Sequence, residues 1–168
     1  MDLFLAVYYN LQPFRLKTKL FGGEICVILF YNSILNLSFF LQTGITIWTI
    51  SSTSLPRIIL IVWGMLVNLY VDMEDDKKDS STANTSAIIF GETLSKYLII
   101  GMPIITYGLT IHYAFLSGNL YTNLALLSIP QIAEVVQLAL KKQKLSKPKF
   151  FKSTLMFNFL FGIGVLIQ

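Results

Sequence analysis

Residues 94–116 read LSKYLIIGMPIITYGLTIHYAFL, an apolar run that contains one lysine and no acidic residue. A transmembrane α-helix needs about 17 to 25 such residues, because each adds about 1.5 Å of length and the hydrocarbon core of a bilayer is about 30 Å thick. This run therefore predicts a membrane-spanning helix.

The rest of the chain repeats the pattern. The 168 residues are 54% hydrophobic and 13% charged, with a mean hydropathy of +0.65, which leaves too little polar surface for a soluble domain of this size. Residues 1–14 are apolar but too few to span, and Pro130 predicts a kink in the fourth span. We expect a single all-α integral membrane domain, residues 1–168, with about five transmembrane helices at 22–41, 54–71, 94–116, 120–140 and 154–168.

Basic residues fix the expected orientation. With these five spans, Arg57 lies on one side of the membrane and the other twelve of the thirteen lysines and arginines lie on the opposite side. The positive-inside rule makes the basic side cytoplasmic. The sequence thus predicts a multi-pass protein of the cell membrane, with the lipid bilayer around it and cytoplasmic basic and acidic loops. The pI near 9.2 reflects topology, and no nucleic-acid partner is expected.

An acidic segment follows the second span. If the helix continues, Asp72, Asp75, Asp76 and Asp79 lie on one face, where they repel one another and oppose the helix dipole. A bound divalent cation would reverse both effects, and carboxylate oxygens suit Mg²⁺. The alternative, which the residues leave open, is a solvated acidic loop.

Several motifs resemble one family in the order that it has them. The segments NLYVDMEDD (68–76) and TSAIIFG (85–91) resemble the second aspartate-rich motif of UbiA-type intramembrane prenyltransferases. YNLQPFRLK (9–17) and GE (23–24) resemble segments that precede that motif, most closely in the naphthoate prenyltransferases of menaquinone synthesis. TLMFNFLFGIG (154–164) is similar to the closing helix of the family.

This resemblance implies a particular fold, of which the sequence covers only a part. The family fold is a nine-helix bundle, and the five predicted spans match its last five helices, with residues 1–14 as the stump of a preceding helix. The first aspartate-rich motif of the family has no counterpart in this sequence. The resemblance is therefore to the C-terminal portion of an enzyme, and an N-terminal half is an expected partner.

The resemblance also implies a reaction, the transfer of a prenyl group from a polyprenyl diphosphate to an aromatic acceptor in quinone (menaquinone-like) biosynthesis. In that interpretation Asp72 and Asp76 hold Mg²⁺ as the cofactor and Asn68 orients the cluster. The diphosphate would contact three basic residues: Lys17, Lys77 and Arg15. Lys77 has an alternative role in neutralising the neighbouring acids, and Arg15 and Lys17 have one as topology signals.

Glu134 is an ionisable residue inside the fourth span, about 10 Å from the boundary at Lys141 if the rise is about 1.5 Å per residue. Because burying a charge in lipid is costly, we expect Glu134 to face the interior of the bundle. Its role is either functional or an interhelical hydrogen bond.

Three functions remain open. The first is prenyl transfer, incomplete in the chain alone. The second is a non-catalytic helical bundle or partner subunit derived from such an enzyme. The third is a cation channel or carrier, which is weakened because Glu134 is the one acidic residue well inside a span.

Overall fold

The computed structural model describes residues 7–9, 11, 16, 19, 21–44, 54–78 and 85–167, and none of these lies in a β-strand. The helices are α1 (Gly22–Thr43), α2 (Leu55–Asp76), α3 (Ser86–Ser117), a 3₁₀ helix (Leu120–Ser128), α4 (Ile129–Leu140) and α5 (Ser146–Leu166).

Four helical segments are long and apolar enough to cross a membrane: Leu55–Asp76, Ser86–Ser117, Leu120–Leu140 and Ser146–Leu166. With its 22 residues, α1 is long enough to be a fifth. Large apolar side chains such as Phe115 and Phe159 lie on the outside, where lipid can cover them. The predicted class, an all-α integral membrane protein, is confirmed.

The third span begins earlier than predicted. Helix α3 starts at Ser86 rather than at residue 94, and its backbone breaks at Gly91, where φ is 71° and ψ is 175°. Glycine reaches this left-handed region without steric conflict. The break therefore separates a short initial helical turn from the long apolar helix that hydropathy detected.

The fifth span also begins earlier, at Ser146 rather than at residue 154. The first two turns of α5 carry three lysines, which the hydropathy argument had assigned to a loop. Two of them, Lys147 and Lys149, form ion pairs with acidic residues of α2 and α4. Because these pairs offset the lysine charges, the helix can begin before the apolar run does.

Pro130, where the sequence predicts a kink, lies where the helix changes type. Residues 120–128 form a 3₁₀ helix, and α4 begins at Ile129 with the proline in its first turn. Proline is well tolerated there, because the amide that it lacks would have no partner within the helix. Pro130 thus begins an α-helix.

The core is built where α2, α3 and α5 meet. Trp63 is fully buried, and its indole N–H donates to the carbonyl oxygen of Ile99 at 2.8 Å. The ring of Phe150 meets Trp63 edge-on, with centroids 5.5 Å apart. The absence of a side chain at Gly64 leaves space for this contact, since a Cβ at that position would overlap the Phe150 ring. These contacts fix the start of α5 against the middle of α2.

A second contact fixes the other end of α5. The side-chain amide of Asn119 donates to the Gly164 carbonyl oxygen at 2.9 Å, while its Oδ1 accepts from the Tyr121 amide at 3.0 Å. Arg57, at the start of α2, lies 4.8 Å above the Phe161 ring. This cation is thus held at the end of the bundle opposite to the acidic end of α2.

Candidate functional site

The acidic residues lie on a continuous helix. Helix α2 runs through Asp76, so Asn68, Asp72 and Asp76 recur every four residues along one face. Of the predicted acidic face, Asp72, Asp75 and Asp76 lie on this helix. The helix ends directly after Asp76, where the amide of Lys77 donates to the Met73 carbonyl oxygen at 3.1 Å. Asp79 lies outside the described residues.

Lysines from the α4–α5 loop and from the start of α5 reach these carboxylates. Lys147 Nζ pairs with Asp72 Oδ2, and Lys144 Nζ lies 3.3 Å from Asp75 Oδ2. Lys142 Nζ lies 3.2 Å from Glu74 Oε1 and 3.7 Å from Glu92 Oε2. Shorter-range pairs complete the set: Lys77–Glu74 at 3.4 Å, Lys78–Asp75 at 3.5 Å and Lys96–Glu92 at 2.8 Å. We call these residues the ion-pair cluster.

The members of the cluster differ in solvent exposure. The side chains of Lys144 and Asp75 are 73% and 60% exposed, so their pair contributes little, as exposed pairs generally do. Lys147 and Asp72 are 35% and 33% exposed, and Lys142 is 28% exposed. Lys142 also lies 5.5 Å above the ring of Tyr70. The strongest interactions are therefore those of Lys142 and Lys147.

Two buried polar atoms beside the Asp72–Lys147 pair have no hydrogen-bond partner. One is Oδ1 of Asn68, which lies one turn before Asp72 on α2. The other is Oγ of Ser146, which directly precedes Lys147. Buried polar groups are nearly always paired in folded proteins. Other unpaired polar atoms of the described bundle lie farther along the chain, for example at Asn123 and Thr154.

The oxygen atoms on this face suit a shared metal ion. No group of three or more His, Cys, Asp or Glu side chains in the described ranges is close enough to hold a metal by itself. Mg²⁺, however, commonly takes one or two carboxylates and completes its shell with water and substrate phosphates. The unpaired oxygen of Asn68 and the carboxylates of Asp72 and Asp76 fit that second mode.

Of the three residues predicted to contact the diphosphate, Lys77 lies in the described part of the chain. Lys77 pairs with Glu74 at 3.4 Å, which matches the neutralising alternative, and its contact with diphosphate stays a prediction. Arg15 and Lys17 lie outside the described residues.

The expectation that Glu134 faces the bundle interior was wrong. Its side chain is 51% exposed on α4, and its carboxylate pairs with Lys149 of α5. This partner explains the position, because a neutralised charge no longer has to be buried among the helices. Among the described residues, Glu134 pairs with Lys149, whereas the carboxylates of the cluster pair with other lysines.

Sequence reasoning did not assign several residues of the cluster to the site: Glu74, Glu92, Lys142, Lys144 and Lys147. It paired the acids with their chain neighbours, whereas the structure pairs them with lysines 68 to 75 positions away. One signal was available, since an acidic and a lysine-rich segment were both expected on the same side of the membrane. Opposite charges on one face attract one another.

No family model matches this chain, and neither the curated proteins nor the solved structures include a match to it.

The ion-pair cluster leads to a test of topology. We expect cysteines at Lys78 and Lys144, both at the cluster, to resist an impermeant thiol reagent on intact cells. A cysteine at Leu120, at the opposite end of the bundle and 61% exposed, should be labelled. The background is Cys26→Ser, although the native thiol is buried. Labelling of the first two positions, but not of the third, would show that the orientation in the membrane is opposite to the predicted one.

Proposed function

We propose that this chain is the C-terminal portion of an intramembrane prenyltransferase, which transfers a prenyl group from a polyprenyl diphosphate to an aromatic acceptor in quinone biosynthesis. The observation that carries the proposal is the face of α2 with Asn68, Asp72 and Asp76 at intervals of four residues. This face lies at the end of the bundle where lysines gather, and it includes the unpaired Asn68 oxygen.

The proposed chemistry has two requirements. An allylic diphosphate must ionise, and its departing negative charge must be stabilised beside a lipid-soluble chain. Mg²⁺ held by Asp72 and Asp76, with Asn68 orienting the cluster, would supply that stabilisation to the leaving group. Lysines close to the same carboxylates can bind the remaining phosphate oxygens by charge-assisted hydrogen bonds.

A groove beside the cluster supports the second requirement. It has a volume of about 450 Å³ and is lined by Thr93, Lys96, Tyr97, Ile100 and Leu140. Lys96 belongs to the ion-pair cluster, and Ile100 and Leu140 provide an apolar wall. A groove with one charged end and apolar walls suits a prenyl chain attached to a diphosphate.

Calorimetry tests the metal site. We expect Mg²⁺ to bind the detergent-solubilised chain weakly alone and at least about tenfold more tightly with a polyprenyl diphosphate present, because the phosphate oxygens complete the metal shell. The Asp72→Asn/Asp76→Asn variant should lose this enhancement. The control is Glu134→Gln, which removes one carboxylate on another face of the bundle. Equal binding by wild type and the double variant would refute the proposed site.

A second candidate function is a non-catalytic helical bundle that binds partner subunits. The ion pairs favour it, because Asp72, Glu74 and Asp75 each already have a lysine partner and so have no electrostatic need for a metal. The same calorimetry separates the two candidates. A bundle with a purely structural role should show no Mg²⁺-dependent binding of diphosphate.

A further inference from the structure

The lysine-rich segment, residues 141–149, closes over the acidic end of α2. Lys142 connects three elements, because it contacts Glu74 on α2 and Glu92 on α3 from the loop that follows α4. Lys147, at the start of α5, reaches Asp72. These partners are 50 to 75 residues from the lysines in sequence, so the pairs hold tertiary structure together.

The backbone turns at the same place. Lys142 has φ of 53°, in the left-handed region. Its amide donates to the Ala139 carbonyl oxygen at 2.7 Å, and the next amide, of Gln143, donates to the Leu138 carbonyl oxygen at 3.0 Å. These two bonds form the pattern that commonly ends a helix with one left-handed residue. The turn places the Lys142 side chain against two carboxylates and the Tyr70 ring.

The closed arrangement leaves buried polar atoms without partners. Asn68 Oδ1 and Ser146 Oγ flank the Asp72–Lys147 pair on its two helices. Lys147 neutralises Asp72 but does not satisfy either of these atoms. Electrostatic attraction between the lysines and the carboxylates therefore holds the closed state.

We propose that residues 141–149 form an electrostatic latch, which the Lys142 and Lys147 ion pairs hold closed over the carboxylates of α2 and which opens when those pairs are released. The proposal deepens the proposed function, on which it rests, because the latch controls access to the same Asp72. With the latch closed, Lys147 occupies the position of a competing cation. With it open, both Asp72 and the lysines can accept new partners.

Hydrogen exchange of the whole chain in detergent micelles tests the latch. The reporters are two amides: that of Gln143 donates to the Leu138 carbonyl oxygen at the end of α4, and that of Ser146 donates to the Gln143 carbonyl oxygen, at 3.0 Å each. We expect their exchange to speed up roughly tenfold between low and high salt, because ions screen the pairs that hold the loop. Lys147→Asp should speed it up at low salt, and Asp72→Lys/Lys147→Asp, which restores an opposite-charge pair, should slow it again.

Two further variants complete the test. One removes the charge of Lys142 without disturbing its backbone, and the other is a control at an exposed ion pair. Lys142→Asn removes the charge but keeps a residue that accepts left-handed backbone, so it should open the latch through lost ion pairs alone. Lys144→Ala, whose pair with Asp75 is largely exposed, should change exchange by no more than about twofold. Exchange in the buried part of α3 reports that each variant is folded.

The outcomes distinguish the latch from the proposed function. Exchange that is unchanged by both high salt and Lys147→Asp would overturn the latch, whatever Mg²⁺ does. Faster exchange with salt, but no additional effect of Mg²⁺ and a polyprenyl diphosphate together at matched ionic strength, would support the latch and contradict the proposed metal site. An additional Mg²⁺ effect would support both.

Discussion

Replacing Gly164 by alanine should destabilise the bundle by about 3 kcal/mol, since overpacking a tightly packed contact typically costs about 1 to 3 kcal/mol and sometimes more. A Cβ at this position would overlap the Tyr121 carbonyl oxygen and lie 2.6 Å from Cα of Thr122. Both obstacles are backbone atoms, so no side-chain rotation can relieve them. The 3₁₀ helix would have to move away from α5 and weaken the hydrogen bond from Asn119 to the Gly164 carbonyl.

Gly162 is the matched control on the same helix. A Cβ there would meet nothing nearer than Nη2 of Arg57 at 4.0 Å. Since alanine is favoured over glycine inside helices by about 0.5 to 1 kcal/mol, Gly162→Ala should be neutral or slightly stabilising. Unfolding in mixed detergent micelles, followed by far-UV circular dichroism, measures both variants. If the two lose stability equally, the close approach of α5 to the 3₁₀ helix is not the cause.

The spans were predictable because a bilayer sets both the length and the composition of a helix that crosses it. The ends of those spans were less predictable. Helix α3 extends back to Ser86 through a glycine break, and α5 extends back to Ser146 through lysines that find carboxylate partners. Hydropathy measures transfer into lipid, and it carries no information on such pairings.

The candidate site divides in the same way. The position of Asp72, Asp75 and Asp76 on one helical face followed from periodicity, which is a local property, whereas Asn68 was assigned through the family resemblance. The pairing of Asp72 with Lys147 depends on how α5 packs against α2, where Phe150 meets Trp63. For Glu134 the predicted position was wrong, because the expected interior position assumed that no nearby lysine would neutralise the carboxylate. Tertiary contacts decided both cases.

Prenyl transfer by this chain alone should be undetectable, and activity should appear on co-expression with the first four helices of a related enzyme. The proposed function implies that the diphosphate is held between two aspartate motifs, of which this chain would supply the second. Removing even one stabilising donor from a preorganised site costs about 2.7 to 4 kcal/mol, or about a hundred- to a thousandfold in rate. The loss of a complete motif should cost more than that.

In the co-expressed pair, Asp72→Asn should lower activity at least about a hundredfold, because it removes a carboxylate from the proposed metal site. Glu134→Gln is the control and should retain most of the activity, since its partner is Lys149 on another face of the bundle. The measurement is the amount of prenylated naphthoate in membranes, with co-purification showing that the two halves associate. Turnover by the chain alone, abolished by Asp72→Asn, would refute the need for an N-terminal half. Association of the halves without turnover would favour the non-catalytic bundle, in which Lys142, Lys144 and Lys147 remain the permanent partners of the carboxylates on α2.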